Sequence, residues 1–427
     1  MTIFKALLCP AFAVLALTVS PHSYAQDATP PAVKLEQAII AALKKSPVLG
    51  ASLARVEAAT ASRSQAGALP NPTLSIEADN IYGDYDGLDD AEITYGVSQM
   101  VELPGKRGSR IRLADAAATK SHYANDATRL DLIRDVTIAY TEMAIAQEDV
   151  TLLGEEYDLA SEVRNSVAAK VEAGKEPPIQ KNKSEIALST SQIALERAHR
   201  TLYAKKQTLY ALMGGHAGDF SVDLESLPAI TPPQPLESYR TRLLQTPDAQ
   251  SLNADIHQAQ AELSLERANA MPDPTFNVGL KDMREDNTQA LVAGVSFPLP
   301  VFNINRAGVA RAGHELNAAK LDQHSTQLLL DTTLTAAYSA LSNAYNEALT
   351  LEDSVLPGAE EAFHFAREGY EAGKFDYLEV LDAQRTLFDA RRQFNTAILD
   401  YHRERAVIER MTAAHAEQHP AKESHHD

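Results

Sequence analysis

The chain has 427 residues, 44% hydrophobic and 23% charged, which excludes an intrinsically disordered protein and allows a large folded one. Its formal net charge is −19, from 58 acidic and 39 basic residues, which argues against nucleic acid as a partner. Ala, Leu, Gln, Glu and Arg are plentiful from Lys106 onward, a composition that favours long helices.

The first 25 residues have the pattern of a secretory signal peptide. Lys5 supplies a positive charge, residues 6–19 form an apolar run, and Ser23-Tyr24-Ala25 fits a cleavage site before Gln26. An uncleaved membrane anchor is the alternative, although the apolar run is short for a spanning helix. Cys9 is the only cysteine and lies inside this segment. We therefore expect an exported mature chain without a disulfide or a lipid anchor.

The rest of the chain contains two copies of one unit of about 200 residues. The run Leu69-Pro70-Asn71-Pro72-Thr73 returns as Met271-Pro272-Asp273-Pro274-Thr275, and Glu172-Ala173-Gly174-Lys175 returns as Glu371-Ala372-Gly373-Lys374. Landmarks in the same order indicate an internal tandem duplication. We divide the chain into a signal peptide at 1–25, a first repeat at 26–214, a linker and equatorial segment at 215–235, a second repeat at 236–414 and a tail at 415–427.

Each copy begins with a predicted helix, at about 33–68 and 236–270, which a Pro-x-Pro turn ends because proline lacks the backbone N–H. Alternating segments follow, in which residues such as Leu74 and Ile76 flank polar Ser75. Period-two alternation predicts strands with one apolar and one polar face. Polar loops at 83–87 and 284–287 join them into two hairpins. The predicted strands lie at about 73–83 and 91–101 in the first copy, and at 275–283 and 289–298 in the second.

The apolar face of these hairpins packs either on a soluble core or against lipid, and the alternation by itself leaves both possibilities open. Four strands are too few to close a membrane barrel, which needs about eight. Three chains would supply twelve strands and leave an open lumen, so the membrane interpretation requires an oligomer.

Long proline-free stretches, at 106–173 and 304–356, predict helices of unusual length, since ~65 helical residues span on the order of 100 Å. The returning helices carry apolar residues seven apart, which predicts coiled coils. On the heptads alone, a two-helix coiled coil without a channel is the simpler interpretation, and only the hairpins favour a channel. The heptad residues are Leu188, Leu195, Leu202 and Leu209, then Val380, Leu387, Phe394, Tyr401 and Ile408, with Ala383, Ala390 and Ala397 between the latter.

Two runs beside the predicted strands resemble a known family. They are Gln65-Ala66-Gly67-Ala68-Leu69-Pro70-Asn71-Pro72-Thr73-Leu74 and Ser98-Gln99-Met100-Val101-Glu102-Leu103-Pro104-Gly105-Lys106-Arg107. With the duplication, they resemble the TolC family of outer-membrane efflux proteins over essentially the whole mature chain, and within it the heavy-metal (CzcC/CusC-like) branch. Pro104 departs from that branch, which has glycine at this position.

The resemblance implies a mainly α protein with a membrane β-barrel. It would be a homotrimer of long coiled-coil helical hairpins, which form an α-barrel in the periplasm, and four strands per chain would complete a twelve-stranded barrel in the cell outer membrane, in contact with its lipid. The implied function is a passive exit duct for heavy-metal cations in a tripartite efflux pump. The implied partners are a periplasmic membrane-fusion adaptor and an inner-membrane RND transporter. A TolC-like channel for drugs or secreted substrates and a periplasmic coiled-coil adaptor or scaffold are the alternatives.

The resemblance also implies roles for particular residues. Glu379 and Asp382 fall where the family places acidic residues at the channel entrance, and three-fold repetition would make two carboxylate rings. A solvated helix face is the alternative for both. The implied adaptor-docking tips contain Gly174, Lys175, Arg367, Tyr370, Gly373 and Lys374, and the implied barrel-to-helix junction contains Pro104, Gly105, Lys106 and Arg107.

The tail is rich in histidine, and such a tract can bind metal loosely. We favour a disordered tail, because nothing there fixes a coordination geometry. We expect no cofactor and no enzymatic activity, since the chain has no Gly-rich phosphate loop, His-Glu-x-x-His or Gly-x-Ser-x-Gly motif. The four tail histidines are His415, His419, His425 and His426.

Overall fold

The computed structural model describes residues 32–82, 91–215 and 219–414. The predicted signal peptide, the loop at 83–87 and the four tail histidines lie outside these ranges. No helix in the described ranges is both long enough and apolar enough to cross a membrane.

The two repeats have the same order of elements. The first consists of β1 (Ala32–Val33), α1 (Leu35–Lys45), α2 (Pro47–Ala66), β2 (Thr73–Asp79), β3 (Glu92–Met100), α3 (Lys106–Glu172) and α4 (Pro178–Leu212). The linker contains β4 (Ser221–Val222) and a 3₁₀ turn (Leu224–Ser226). The second repeat consists of α5 (Leu236–Leu243), α6 (Pro247–Asn269), β5 (Thr275–Met283), β6 (Thr288–Ser296), α7 (Arg306–Thr350), a π-helical segment (Leu351–Val355), α8 (Leu356–Glu371) and α9 (Tyr377–Met411).

The prediction of one helix at 33–68 and one at 236–270 is wrong, because each stretch forms two helices. Pro47 and Pro247 begin the second helix of each pair, where the missing N–H of proline leaves no hydrogen bond unmade. In the second copy the Thr246 side chain caps the new helix by accepting a hydrogen bond from the backbone N–H of Ala249 at 3.4 Å.

The two predicted hairpins are confirmed and join into one antiparallel sheet in the order β2-β3-β5-β6. Leu74 lies opposite Val97, which lies opposite Val278, which lies opposite Ala293. Residues directly opposite share a face, so the apolar positions of all four strands form one continuous surface. β2 is shorter than predicted and ends at Asp79, because Asn80 adopts a left-handed φ of 61°.

α3 is the helix on which both repeats assemble. It packs against α2 and α6 in its first half and against α4 and α9 in its second half. α9 also packs against α8. At the end of the molecule opposite the sheet, the helices therefore lie side by side in the order α4-α3-α9-α8. The predicted stripe of α9 is confirmed as a packed face, with Val380 and Ile408 each at most 2% exposed. In the α4 stripe Leu209 is fully buried, whereas Leu188, Leu195 and Leu202 are half-buried, and Ser184, Ser191 and Ala198 are the buried positions beside them.

Charged side chains of α3 pair with the second repeat along the whole contact. Glu142 receives hydrogen bonds from Lys205 of α4 at 2.8 Å and from Arg403 of α9 at 3.0 Å. Burial disfavours the charged form of Glu142, but these two cations outweigh burial and hold its pKa below the usual value. Further contacts between the copies include Lys120 with Asp255, Asp131 with Arg410, Asp149 with Asn395, Glu155 with Arg391, Glu156 with Arg392, and Glu162 with Arg367 of α8.

Tyr140 of α3 ties the linker to the start of the first repeat. β1 and β4 pair in parallel, with Val33 opposite Val222. The Tyr140 hydroxyl lies 2.7 Å from the carbonyl oxygen of Val33 and accepts a hydrogen bond from the backbone N–H of Asp223 at 3.0 Å. The Tyr140 side chain is fully buried, so the short pair of strands and the long helix form one unit.

We predict that Tyr140→Phe lowers the free energy of unfolding by about 1–3 kcal/mol, because it leaves buried backbone groups without their hydroxyl partner. Thermal unfolding of the purified protein, followed by circular dichroism, measures the loss. Tyr203→Phe is the matched control, since Tyr203 is 65% exposed. Equal unfolding temperatures for the two variants would contradict the prediction.

Candidate functional site

The predicted barrel-to-helix junction is built around Lys106 and Asp273, which belong to different repeats. The Lys106 ammonium donates a hydrogen bond to Asp273 Oδ2 at 2.7 Å, and the backbone N–H of Leu103 donates to Asp273 Oδ1 at 2.9 Å. Gly105 precedes α3 with a φ of 104°, a conformation that a residue with a Cβ rarely adopts. The turn therefore directs the first residue of α3 onto the Pro-Asp-Pro turn of the second copy.

Two arginines at the start of α3 hold the end of α2. Arg107 donates from Nε to the carbonyl oxygen of Gly67 at 2.8 Å. Arg110 donates to the carbonyl oxygen of Ala66 at 2.9 Å and forms an ion pair with Glu102. Helix C-termini leave carbonyl groups without intrahelical partners, so these guanidinium groups satisfy them. Arg110 was not singled out in the sequence, although it lies on the same helical face as the predicted residues Lys106 and Arg107.

Both Gly-Lys turns end their helices in the same way. Gly174 and Gly373 each have a φ of 69°. The backbone N–H of Lys175 donates to the carbonyl oxygen of Lys170 at 2.9 Å, and that of Lys374 donates to the carbonyl oxygen of Gly369 at 2.7 Å. This is the glycine-ended Schellman turn. It explains why the Glu-Ala-Gly-Lys sequence recurs at both predicted tips.

The structure brings the two tips together. The Lys170 ammonium donates to the carbonyl oxygen of Tyr370 at 3.2 Å and lies 3.4 Å from the centre of the Tyr370 ring. The Gln180 amide donates to Asp376 Oδ1 at 3.4 Å. Val167 packs in the same cluster as Tyr370, Ala366, Tyr377 and Val380. Burial and the nearby Glu176 raise the pKa of the Tyr370 phenol, so it stays neutral over the physiological range.

Several of these tip residues were not predicted. Lys170, Gln180, Asp376 and Tyr377 carry no signal in sequence spacing. The first three form hydrogen bonds to residues about 200 positions away, and Tyr377 packs in the cluster that contains Val167 of the first repeat. The first tip contains Pro177 and Pro178, which the second tip lacks. In the structure Pro178 begins α4, a position that proline tolerates well.

Glu379 and Asp382 are exposed on α9 and line one shallow groove between α8 and α9. Phe365 and Phe375 line the same groove, with about half of each side chain exposed. The two carboxylates therefore share a helix face, as their spacing predicts. Arg367 lies on α8 and pairs with Glu371 and with Glu162 of α3, both at 3.2 Å.

Within residues 32–82, 91–215 and 219–414, no three His, Cys, Asp or Glu side chains come together as a metal site.

Comparison with known proteins agrees with this architecture. The family described as outer membrane efflux protein matches residues 38–215 and 239–414. The chain is 33% identical to the cobalt-zinc-cadmium resistance protein CzcC of Cupriavidus metallidurans, over 69% of this chain and 70% of that protein. It is 27% identical to the nickel-cobalt-cadmium resistance protein NccC of Alcaligenes xylosoxydans xylosoxydans, over 78% and 73%. The outer-membrane channel OprN superposes with a TM-score of 0.77 at 20% identity, over 88% of this chain and 89% of that one.

The shared sheet and the long paired helices thus define the fold of an outer-membrane channel. The chain belongs to the outer membrane efflux protein family. The resemblance to this family, the predicted mainly helical fold with a duplicated plan and the outer-membrane location are confirmed. The roles assigned to the entrance, tip and junction residues remain predictions.

We predict that Asp273→Asn destabilises the protein by roughly 2 kcal/mol or more at neutral pH, because the nearly buried Lys106 loses its counter-charge. Burial opposes ionisation of Asp273, but Lys106 and the Leu103 N–H outweigh it and lower its pKa. A lowered folded-state pKa stabilises the protein above the ordinary value of 3.8, and this stabilisation is lost as the pH falls through the lower folded-state pKa.

The unfolding temperatures of Asp273→Asn and of the parent protein are measured at neutral pH and at about pH 3. The difference between the two temperatures should be smaller at the lower pH. Asp115→Asn is the control, because the Asp115 side chain pairs with Arg63 while 43% exposed. A gap between Asp273→Asn and the parent protein that is equally large at both pH values would show that the charge is not what stabilises the junction.

Proposed function

We propose that this protein is the outer-membrane subunit of a tripartite efflux pump and the passive exit duct for heavy-metal cations. One observation carries the proposal: a protein of the outer membrane efflux family has a four-stranded sheet with a continuous apolar face and two edges unpaired among the described strands. Such a sheet is incomplete, because open strand edges are not tolerated in lipid.

A homotrimer completes the sheet. The edge strand β6 of one copy would pair with β2 of the next, and three copies would close twelve strands around a lumen. The apolar face, on which Leu74 and Leu291 are more than 70% exposed, would contact the outer-membrane lipid. The opposite face would line the lumen, and it carries Ser75, Thr94 and the Lys281–Glu92 ion pair.

The outermost helices also carry apolar residues that a neighbouring copy would cover. Ile179, Ile186 and Ile193 recur every seven residues along α4 and are 55–67% exposed. On the other flank, Leu321 and Leu328 of α7 are about 60% exposed. Heptad spacing on an exposed edge is the mark of a missing coiled-coil partner, which supports closure of the helices into a ring as well.

The two tips would form the periplasmic entrance. Gly174, Lys175, Gly373 and Lys374 lie at the ends of the helical hairpins, where a periplasmic membrane-fusion adaptor would dock and link the channel to an inner-membrane RND transporter. Glu379 and Asp382 would repeat as two carboxylate rings. Such rings attract cations and resist opening by mutual repulsion unless cations screen them.

Heavy-metal cations are the proposed cargo because the names of CzcC and NccC describe resistance to cobalt, zinc, cadmium and nickel. The formal charge of −19 also suits a cation conduit. A channel for drugs or secreted substrates is the second candidate, since the related pyoverdine export protein OpmQ of Pseudomonas aeruginosa is 25% identical over 84% of this chain.

We predict that deletion of the gene sensitises cells to zinc, cobalt or cadmium, because these cations would no longer leave the periplasm. Growth on graded zinc, cobalt, cadmium, copper and silver measures this effect, with a detergent and a dye as organic controls. Complementation with the intact gene should restore tolerance. Sensitivity to the organic compounds alone would favour the second candidate.

We predict that Glu379→Gln combined with Asp382→Asn weakens the block of single-channel current by multivalent cations, because the carboxylate rings lose their charge. Titration of the block in planar bilayers measures it, and we expect an affinity about tenfold lower, on the order of 1.4 kcal/mol. Glu361→Gln is the matched control, because Glu361 is an exposed carboxylate on neighbouring α8. An unchanged block in the double variant would place the cation site elsewhere.

A further inference from the structure

The second repeat contains a break that the first repeat lacks. α3 runs without interruption from Lys106 to Glu172, whereas the equivalent helix of the second repeat changes to π-helical geometry at Leu351–Val355. There the backbone N–H of Leu356 bonds to the carbonyl oxygen of Leu351, five residues earlier. A π segment accommodates one extra residue in a helix.

Proline explains the position of the break. Counting from the tip glycines, Pro357 occupies the place that Asp158 has in the first repeat. In a continuous α-helix, the Pro357 ring would clash with the carbonyl group of Asp353 and supply no N–H to it. The π-helical segment removes this conflict, and Pro357 follows it in the first turn of α8.

The extra residue also determines which side of α8 faces α9. Before the break, the buried residues are spaced alternately three and four positions apart, and the last of them is Leu351. This spacing predicts the next packed positions at 355 and 358, but the packed residues are Leu356 and Ala359, one position later. We call the packed positions of α8 the resting stripe. It consists of Leu356, Ala359, Phe363, Ala366 and Tyr370.

If the same residues formed a continuous α-helix, a second apolar set would face α9. These positions precede the resting stripe by one residue, and we call them the alternate stripe. Val355 is 39% exposed and Phe365 55% exposed in the structure, although neither is polar. The positions one residue after the resting stripe include Glu360, His364 and Arg367, which could not pack there. The alternate stripe consists of Val355, Gly358, Ala362, Phe365 and Gly369.

We propose that the π-helical segment is a register switch for the channel entrance, an inference that rests on the proposed channel function. Conversion of the segment to α-helix turns α8 by about 100° about its axis. The alternate stripe then replaces the resting stripe against α9, and Tyr370 leaves Lys170 and Val167 of the first tip. Pro357 favours the resting register, because a straight α-helix would place its ring against the carbonyl group of Asp353.

The polar contacts of α8 do not prevent this rotation. Arg367 pairs with Glu162 at 3.2 Å and Glu360 pairs with Arg391 at 3.1 Å. The side chains of Arg367, Glu162 and Glu360 are about half exposed, and exposed ion pairs contribute little to stability. The apolar contacts of the resting stripe are the main ones lost, and the alternate stripe replaces part of them.

Disulfide trapping distinguishes the two registers. Cys9 is the only cysteine and precedes the predicted cleavage site, so introduced pairs would be the only thiols in the mature chain. Ala359→Cys with Ala390→Cys joins two residues of one buried cluster and reports the resting register. Gly358→Cys with Ala390→Cys differs by one position and reports the alternate register. A Cβ at Gly358 has no atom within 4 Å, so this variant is sterically tolerated.

The full-length protein in outer membranes is oxidised, and the yield of each cross-link is measured. In the parent background the 359–390 cross-link should dominate. In Pro357→Ala the 358–390 cross-link should rise roughly tenfold, because the penalty on the α register is removed. Deletion of Ser354 in the Pro357→Ala background removes the extra residue, so a continuous α-helix again presents the resting stripe and the 359–390 cross-link should return to dominance. Pro357→Ser should act like Pro357→Ala if that variant folds poorly. Pro247→Ala, at the start of α6, is the control and should change neither yield.

The same proteins are then reconstituted in planar bilayers. The 358–390 cross-link should raise single-channel conductance, and reduction should reverse the increase. A dominant 359–390 cross-link in every background would overturn the switch and leave the alternate stripe as a contact between copies. If the 358–390 cross-link rises in Pro357→Ala but no variant conducts ions in the bilayer, the register change stands and the proposed duct is refuted.

Discussion

The packing of α3 against both repeats is the constraint on which the rest of the structure depends. One unbroken helix contacts α2 and α6 near the sheet and α4 and α9 farther away, so a single element joins the sheet end of the molecule to the tip end. The contact is specified by charge as well as by apolar packing, because acidic residues of α3 face arginines of the second repeat. Glu142 shows this most clearly, since it receives hydrogen bonds from both hairpins. Such pairing favours association of the first copy with the second over association with an equivalent copy of itself.

The two repeats share one order of elements but differ in local structure and in their contacts. They share the Pro-x-Pro turn, the strand pair and the Schellman turn at the tip. The sheet is a joint product, because β3 of one copy pairs with β5 of the other and Lys106 binds Asp273 across the same boundary. At the opposite end the copies differ, since α3 is continuous while Pro357 interrupts its counterpart. The first copy thus acts as the rigid support, and the second copy carries the segment that is able to change register.

The strands, the long helices and the heptad faces were predicted from the sequence because their signals are local. Alternation along Leu74 to Asp79 and the seven-residue spacing from Val380 to Ile408 reflect the geometry of a single element. The helix breaks at Ser46 and Leu244–Thr246 were missed although Pro47 and Pro247 mark them, since a proline inside a helical pattern signals a helix boundary. The π-helical segment was missed for a different reason: one inserted residue leaves composition unchanged and shifts only the phase of the buried stripe. The contact between Lys170 and Tyr370 has no local signal at all.

What the amino-acid sequence determined by itself is the set of elements, their faces and the repetition of the plan, because backbone hydrogen bonding and side-chain periodicity act over a few residues. Only the tertiary structure decided that the two hairpins share one sheet, that Asp273 binds Lys106, and that α8 presents the resting stripe to α9. Each of these contacts joins residues that are distant in the chain or depends on the phase of a helix. Such contacts form through packing and charge in three dimensions, where spacing along the chain carries no information about the partner.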